Sequence, residues 1–217
     1  LFFALGMLLY RVYYLFFEKR GQQSLRGLAF FFGILFITEV ALILVFGVDY
    51  RTVRSAYGET TWRLGAVDFP MRLVVPFLVS IVMVVGVQLF LTHTFFGRAV
   101  LAVAQDPLAL RLMGVNPIKV KELAFALSIE PAGVAGSFLI VIQPVQPAIG
   151  REFIGLVFAV CVLGGMGSIW GTLIGAFVLG LAESFTATFF GPSWAPAVSF
   201  GLLLATLAFR PSGILGR

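Results

Sequence analysis

The chain has 217 residues, of which 60% are hydrophobic and only 12% are charged, and its mean hydropathy is +1.04. A soluble domain carries roughly 25% charged residues, so this composition excludes a soluble globular protein and indicates an integral membrane protein. The net charge of +5 does not indicate a nucleic-acid ligand, because the Lys and Arg residues form no continuous stripe.

Long apolar segments that do not alternate with polar residues predict an all-α, polytopic bundle of transmembrane helices. In chain order these segments are residues 1–17, 28–46, 71–91, 123–142, 153–190 and 195–209. The fifth is about 57 Å long as a helix, against a hydrocarbon core of about 30 Å, so it must fold back. Residues 164–171, which are rich in glycine, are the predicted reversal. We therefore expect about seven membrane segments in a single membrane domain, residues 1–217.

The beginning of the chain lies inside the first apolar segment. The sequence begins with Leu1 and not with Met, and it has no charged region before its first apolar segment, which is not the pattern of a signal peptide. We therefore expect the chain to be N-terminally incomplete, with a shortened first segment.

The charge distribution predicts which connections are cytoplasmic. Residues 18–27, residues 92–122 and the tail from residue 210 hold nine of the fifteen basic residues, namely Lys19, Arg20, Arg26, Arg98, Arg111, Lys119, Lys121, Arg210 and Arg217. The opposite side holds a mixture of charges, namely Arg51, Arg54, Arg63, Arg72, Arg151, Asp49, Glu59, Asp68 and Glu152. This modest positive-inside bias favours a cytoplasmic location for the first three stretches.

The most informative of these connections is Thr92–Glu122, which is far longer than a turn between two membrane helices requires. Asp106 followed by Pro107 is typical of a helix start, and Gly114 is typical of a helix end. Leu108, Ala109 and Leu112 share one face of the short helix predicted over 107–113, which is too short to be stable alone. It could rest on lipid headgroups, or it could dock in a groove of another protein. We favour the second interpretation.

The polar residues inside the apolar segments give no pattern of a catalytic site, a metal site or a cofactor site. Cys161 is the only cysteine and His93 the only histidine, and His93 is interpreted as an interfacial residue. A charged side chain at membrane depth costs free energy, and Glu39, Glu130 and Glu183 all lie inside apolar segments. For Glu39 and Glu183 we favour helix packing over a position along the translocation path. Glu130 is followed by Pro131, which predicts a kink.

Closely spaced glycines follow the predicted reversal. Small residues at about one-turn spacing allow helix backbones to approach each other. Two roles are open, tight packing within the subunit, which we favour, or a bend that moves during transport. The glycines concerned are Gly164, Gly165, Gly167, Gly171, Gly175 and Gly180.

Three motifs together resemble the permease subunits of branched-chain amino acid ABC transporters. They are GRAVLAVAQD at residues 97–106, VLGGMGSIWGTLIGAFVLGLAES at residues 162–184 and RPSGILGR at residues 210–217. The resemblance extends from about residue 11 to the end of the chain. Glu183 matches a family position, and Glu39 aligns with a site where the family often has Gln or Glu. The pair Glu130–Pro131 departs from the family, which has small apolar residues there.

This resemblance implies an importer in the inner membrane of a bacterium or archaeon. Two homologous permeases form its pore, two ATP-binding subunits dock beneath it, and an extracytoplasmic solute-binding protein delivers the amino acid. The sequence contains no phosphate-binding loop that ends in Gly-Lys-Ser or Gly-Lys-Thr, so the resemblance implies a transporter subunit and not an enzyme. The family's ATPase contact falls on residues 98–116. The residues expected to carry it are Arg98, Gln105, Asp106, Pro107, Leu108, Leu112 and Gly114.

Other functions stay open at this stage. The motifs report coupling to an ATPase better than they report the substrate, so a related permease for urea, amides or another small solute is the first alternative. A secondary carrier driven by ions, or a membrane assembly protein without a pore, belongs to a different class.

Overall fold

The computed structural model describes residues 1–18, 24–55, 57–58, 60–64, 67–210 and 212–216. Four charged residues used in the topology prediction, Lys19, Arg20, Glu59 and Arg217, lie outside these residues. The described chain forms two compact units, Leu1–Pro147 (unit 1) and Ala148–Arg217 (unit 2).

Unit 1 consists of helices and one small hairpin. Its elements are α1 (Phe2–Phe16), α2 (Ser24–Phe46), β1 (Thr61–Leu64), β2 (Val67–Pro70), α3 (Met71–His93), α4 (Phe95–Gln105), α5 (Pro107–Leu112) and α6 (Pro117–Ile142). The antiparallel hairpin, in which Thr61 pairs with Pro70, was not predicted by the sequence, which indicated only a polar loop. Helix α6 continues through Pro131 as one element, although a proline in this position removes a backbone hydrogen bond.

Helix α1 packs along α6, and aromatic side chains attach α2 to both. Gly6 allows the closest approach, because a Cβ there would lie only 2.6 Å from the Cα of Ala126. The aromatic rings form one continuous cluster, which consists of Tyr10, Tyr13, Phe17, Phe30, Phe31 and Phe125.

Polar contacts fix the two opposite ends of unit 1. At one end, the Glu18 carboxylate accepts hydrogen bonds from Lys121 Nζ at 2.6 Å and from the Tyr10 hydroxyl at 2.7 Å. At the other end, the backbones of Arg51 and Val145 exchange two hydrogen bonds of 2.9 Å each. The end of α1 therefore lies beside the beginning of α6, and the segment after α2 lies beside the segment after α6.

Unit 2 is built from α7 (Ile149–Gly164), α8 (Ile169–Phe189), a short 3₁₀ turn (Pro192–Trp194) and α9 (Ala195–Phe209). Its buried core consists of Ala159, Val162, Leu163, Leu179 and Leu203. The tail returns to α7, where the backbone N–H of Ile214 donates to the carbonyl of Leu163 at 2.9 Å. That bond satisfies a carbonyl that the end of a helix leaves without an intrahelical partner.

The number of membrane-spanning helices is a correction to the sequence prediction. The described residues contain five helices that are long and apolar enough to cross a membrane, not seven. Helix α7 has 16 residues and reaches only about 24 Å, against a hydrocarbon core of about 30 Å. Helix α1 has 15 residues within this sequence. The reversal in the fifth apolar segment is present, since α7 ends at Gly164 and α8 begins at Ile169.

Candidate functional site

The connection between α3 and α6 is helical over most of its length. We call residues 94–116, which contain α4 and α5, the handle. Helix α4 was not predicted, because its apolar residues were assigned to a loop. At its start, the Thr94 hydroxyl accepts a hydrogen bond from the Gly97 backbone N–H at 2.9 Å. Threonine is one of the residues preferred at an N-cap, so the sequence did contain a signal for this helix start.

Gly97 sets the turn from α3 into α4. A Cβ at this position would lie 2.5 Å from the Cα of Leu91, so the two helices can meet this closely only at a glycine. Arg98 and Gln105, both expected to contact the ATPase, lie exposed on α4, Gln105 as its last residue. The handle is therefore folded tightly against the end of α3.

The short helix begins where the sequence predicted. Asp106 Oδ1 accepts hydrogen bonds from the backbone N–H groups of Leu108 at 2.8 Å and Ala109 at 3.1 Å. Pro107 occupies the first turn, where its missing N–H costs nothing. The helix ends at Leu112, one residue earlier than predicted, and Gly114 follows with a φ of +80°.

Leu110 is the residue that sequence reasoning missed. Its side chain is only 4% exposed and packs with three residues of α4 and α6, namely Ala99, Val103 and Val120. The groove that a two-turn helix needs is thus partly supplied by the same chain. The signal was available, because Ala99 and Val103 are four residues apart and form an apolar face on α4.

The two leucines expected to dock in a partner lie on the outer side of α5. Leu108 is 69% exposed and Leu112 is 83% exposed, and Met113 beside them is exposed as well. Large apolar side chains that are contiguous and uncovered mark interaction surfaces more often than scattered ones do. With Leu110 anchoring one side, α5 presents the opposite side outward.

A polar cluster lies next to the handle, where α6 begins. The Glu18 carboxylate is largely buried, and it holds Lys121 of α6 and Tyr10 of α1. A pocket beside it is lined by residues of the handle and of α6, including Arg111, Asn116 and Pro117. Glu18, Pro107 and Lys121 also line this pocket, so the segment after α1, the handle and the beginning of α6 meet there.

The glycines of unit 2 mark the closest contact between α7 and α8. A Cβ on Gly164 would lie 2.5 Å from the carbonyl carbon of Gly171, and one on Gly175 would lie 2.9 Å from the Gly164 nitrogen. Gly165 has a φ of +98° and lies against the tail, whereas Gly167, with a φ of +92°, has no neighbour close enough to contact a Cβ. These distances describe packing, and a moving bend at the same glycines stays a prediction.

The two acids considered for the translocation path lie in different units. Glu39 of α2 is buried in unit 1. In unit 2, Glu183 of α8 accepts a hydrogen bond from the hydroxyl of Ser199 on α9, and Ser199 is itself buried. The Glu183 contact joins two helices of the same unit. Among the described residues, no three His, Cys, Asp or Glu side chains lie together as metal ligands would.

Long apolar helices, connected by an amphipathic handle, define a multi-pass membrane protein. Residues 1–207 match the family described as the permease component of the branched-chain amino acid transport system, and the chain belongs to that family. No solved structure matches it.

Several curated relatives support this assignment. BraD of Pseudomonas aeruginosa, a high-affinity branched-chain amino acid transport system permease protein, is 37% identical over 74% of this chain and 52% of its own length. LivH of Escherichia coli K12 is 36% identical over 64% of this chain and 46% of its own length. LivM of the same strain is 27% identical over 82% of this chain and 44% of its own length. The chain thus spans about half the length of the curated relatives it matches.

Proposed function

We propose that the chain is the permease subunit of an ATP-driven importer in the inner membrane, and that α5 couples it to a separate ATP-binding subunit. The observation that carries this proposal is the geometry of α5. It is capped by Asp106, anchored by Leu110, and presents Leu108 and Leu112 outward. A helix held in this way can transmit a displacement, because its inner side is packed and its outer side is available.

The proposed mechanism uses the connections of the handle. ATP binding draws the ATPase subunits together, and α5 moves with the groove that holds its outer leucines. Since α4 packs tightly on the end of α3 at Gly97, and Leu110 packs on Val120 of α6, α3 and α6 follow. Their movement switches the pore between outward and inward access.

The proposed substrate is a branched-chain amino acid. The names of BraD, LivH and LivM, all permeases of branched-chain amino acid transport systems, support this assignment. The existence of two kinds of permease, LivH and LivM, supports a second, homologous permease as a partner. A solute-binding protein outside the membrane is the remaining proposed partner. Urea, amides or another small solute is the alternative cargo, which ligand binding to that protein would identify.

The coupling test is transport by variants of α5 in proteoliposomes that contain the complete transporter. Leu112→Arg places a charge in the proposed apolar contact, and Asp106→Ala removes the helix cap at a cost of about 1 kcal/mol. We expect both variants to insert normally and to lower uptake per ATP hydrolysed, with the larger loss for Leu112→Arg. Unchanged uptake per ATP hydrolysed in either variant would refute the proposal.

Leu215→Arg is the matched control for Leu112→Arg. Leu215 is also an exposed leucine in a stretch predicted to be cytoplasmic, but it lies in the tail and outside residues 98–116. We expect it to preserve coupling. Equal losses in Leu215→Arg and Leu112→Arg would show a general effect of added charge and would count against a specific α5 contact.

Purification also separates this proposal from the other class. An importer subunit should copurify with an ATP-binding subunit, whereas a secondary carrier or an assembly protein should not. Loss of the ATP-binding subunit in the Leu112→Arg preparation, with retention in Leu215→Arg, is the result we expect.

A further inference from the structure

A second pocket lies in unit 1 at the end opposite the handle. It has a volume of about 310 Å³ and is lined by residues 52–55, Gly58, Arg72 and residues 140–144. Arg72 is the second residue of α3, and residues 140–142 are the last turn of α6. The same two helices that carry the handle at one end therefore carry this pocket at the other.

The lining of this pocket is positively charged. Arg54 and Arg72 both belong to it, and neither forms an ion pair within the described residues. The described lining contains no carboxylate that would neutralise them. Two arginines among the lining residues of one small pocket raise its potential, and a guanidinium group offers the paired donors that bind a carboxylate best.

The beginning of α3 adds to this potential. Its first turn contains no acidic residue, and no side chain caps it. Negative charge is favourable near a helix N-terminus, so the position of Arg72 in this first turn is locally unfavourable, and a bound anion would offset that cost. The pocket wall also contains the Ser55 hydroxyl, which is buried and has no hydrogen-bond partner among the described residues.

Two neighbouring arginines at this end of the unit, Arg51 and Arg63, have partners among the described residues. Arg51 donates to the carbonyl of Phe46 at 2.7 Å and stacks over its ring. Arg63 pairs with Asp68 at 3.3 Å across the hairpin. Arg54 and Arg72 differ from both, because the described structure gives them a shared pocket and no partner.

We propose that this pocket is a carboxylate-binding site in which Arg54 and Arg72 together hold one anionic group. The carboxylate comes either from a small solute or from an acidic side chain of a protein. The described lining offers no acid for the ammonium group of a free amino acid. Binding at this site requires neither transport nor ATP, so its test does not depend on the proposed coupling role of α5.

The test measures the reaction of each arginine with phenylglyoxal in the purified full chain, read by mass spectrometry of the digest. Sodium acetate should slow modification of Arg54 and Arg72 together and leave Arg63 unaffected. Arg54→Gln should weaken the protection of Arg72 about tenfold, because one of two charge-assisted interactions is lost. Arg63→Gln, the matched control, should leave that protection unchanged.

Further probes distinguish the two sources of the carboxylate. Protection by L-leucine, but not by L-leucinamide, at concentrations below those of acetate would assign a small solute. Protection by hexaglutamate, but not by hexaglutamine, would assign an acidic protein segment. The proposal is overturned if no carboxylate protects either arginine, or if all three arginines are protected equally.

Discussion

Leu110 illustrates how one residue divides the two sides of α5. It is buried against α4 and α6, whereas Leu108 and Leu112, two positions before and after it, face outward. The sequence showed three leucines in a two-turn helix, but it did not show which of them packs within the chain. That distinction depends on the position of Val103 and Val120, which only the folded handle brings together.

We predict that Leu110→Ala loosens the handle and that Leu108→Ala does not. Removing the buried side chain should cost about 2–5 kcal/mol of local stability, because it leaves a cavity between α4 and α6. The exposed leucine should cost less than about 0.5 kcal/mol. Amide hydrogen exchange of residues 107–112 measures the difference. Equal protection in the two variants would contradict the assignment of Leu110 as the anchor.

At the scale of elements, the sequence predicted capped helices better than it predicted connections. Asp106, Pro107 and Gly114 bound α5 through local chemistry, which a sequence displays directly. Helix α4 was missed because its apolar residues were assigned to a loop, and the β1–β2 hairpin was missed because each of its strands has only four residues. The reversal between α7 and α8 was predicted from its glycines, while the contact of the tail with Gly165 depends on residues nearly fifty positions apart.

The closest helix contact of unit 2 gives a prediction for glycine substitutions. A Cβ on Gly171 would collide with the backbone carbonyl of Gly164, and neither backbone can yield without moving α7 from α8. We expect Gly171→Ala to destabilise the protein by about 1–3 kcal/mol, as overpacking does. Thermal unfolding in detergent, followed by circular dichroism, measures this loss.

Gly180→Ala is the matched control for this prediction. Gly180 lies on the same helix, α8, and nothing lies close enough to contact a Cβ there. Since alanine is the better helix former, we expect this variant to be as stable as the parent or slightly more stable. A larger loss for Gly180→Ala than for Gly171→Ala would contradict the packing role of the α7–α8 contact.

At the scale of the whole molecule, composition predicted the membrane class and overestimated the number of crossings. Apolar content cannot separate a crossing helix from a short one that packs on its neighbours, as α7 packs on α8 and α9. Within unit 1, the Glu18–Lys121 pair and the Arg51–Val145 bridge place the two ends as the predicted order of crossings requires. The side of the membrane on which each end lies stays a prediction from charge.

We predict that a labelling reagent reaches the handle and the pocket lined by Arg54 and Arg72 from opposite sides of the membrane. They lie at opposite ends of α3 and α6, which have 23 and 26 residues and reach about 34 and 39 Å, enough to cross the hydrocarbon core. In a Cys161→Ser background, which removes the only cysteine, Thr52→Cys and Leu112→Cys report the two ends. A membrane-impermeant maleimide should label Thr52→Cys in intact cells, and Leu112→Cys only after permeabilisation. The cysteine-free parent controls for background. Labelling of both variants in intact cells would contradict the crossing of α3 and α6, and the reverse pattern would place the handle outside, where no ATPase could bind it.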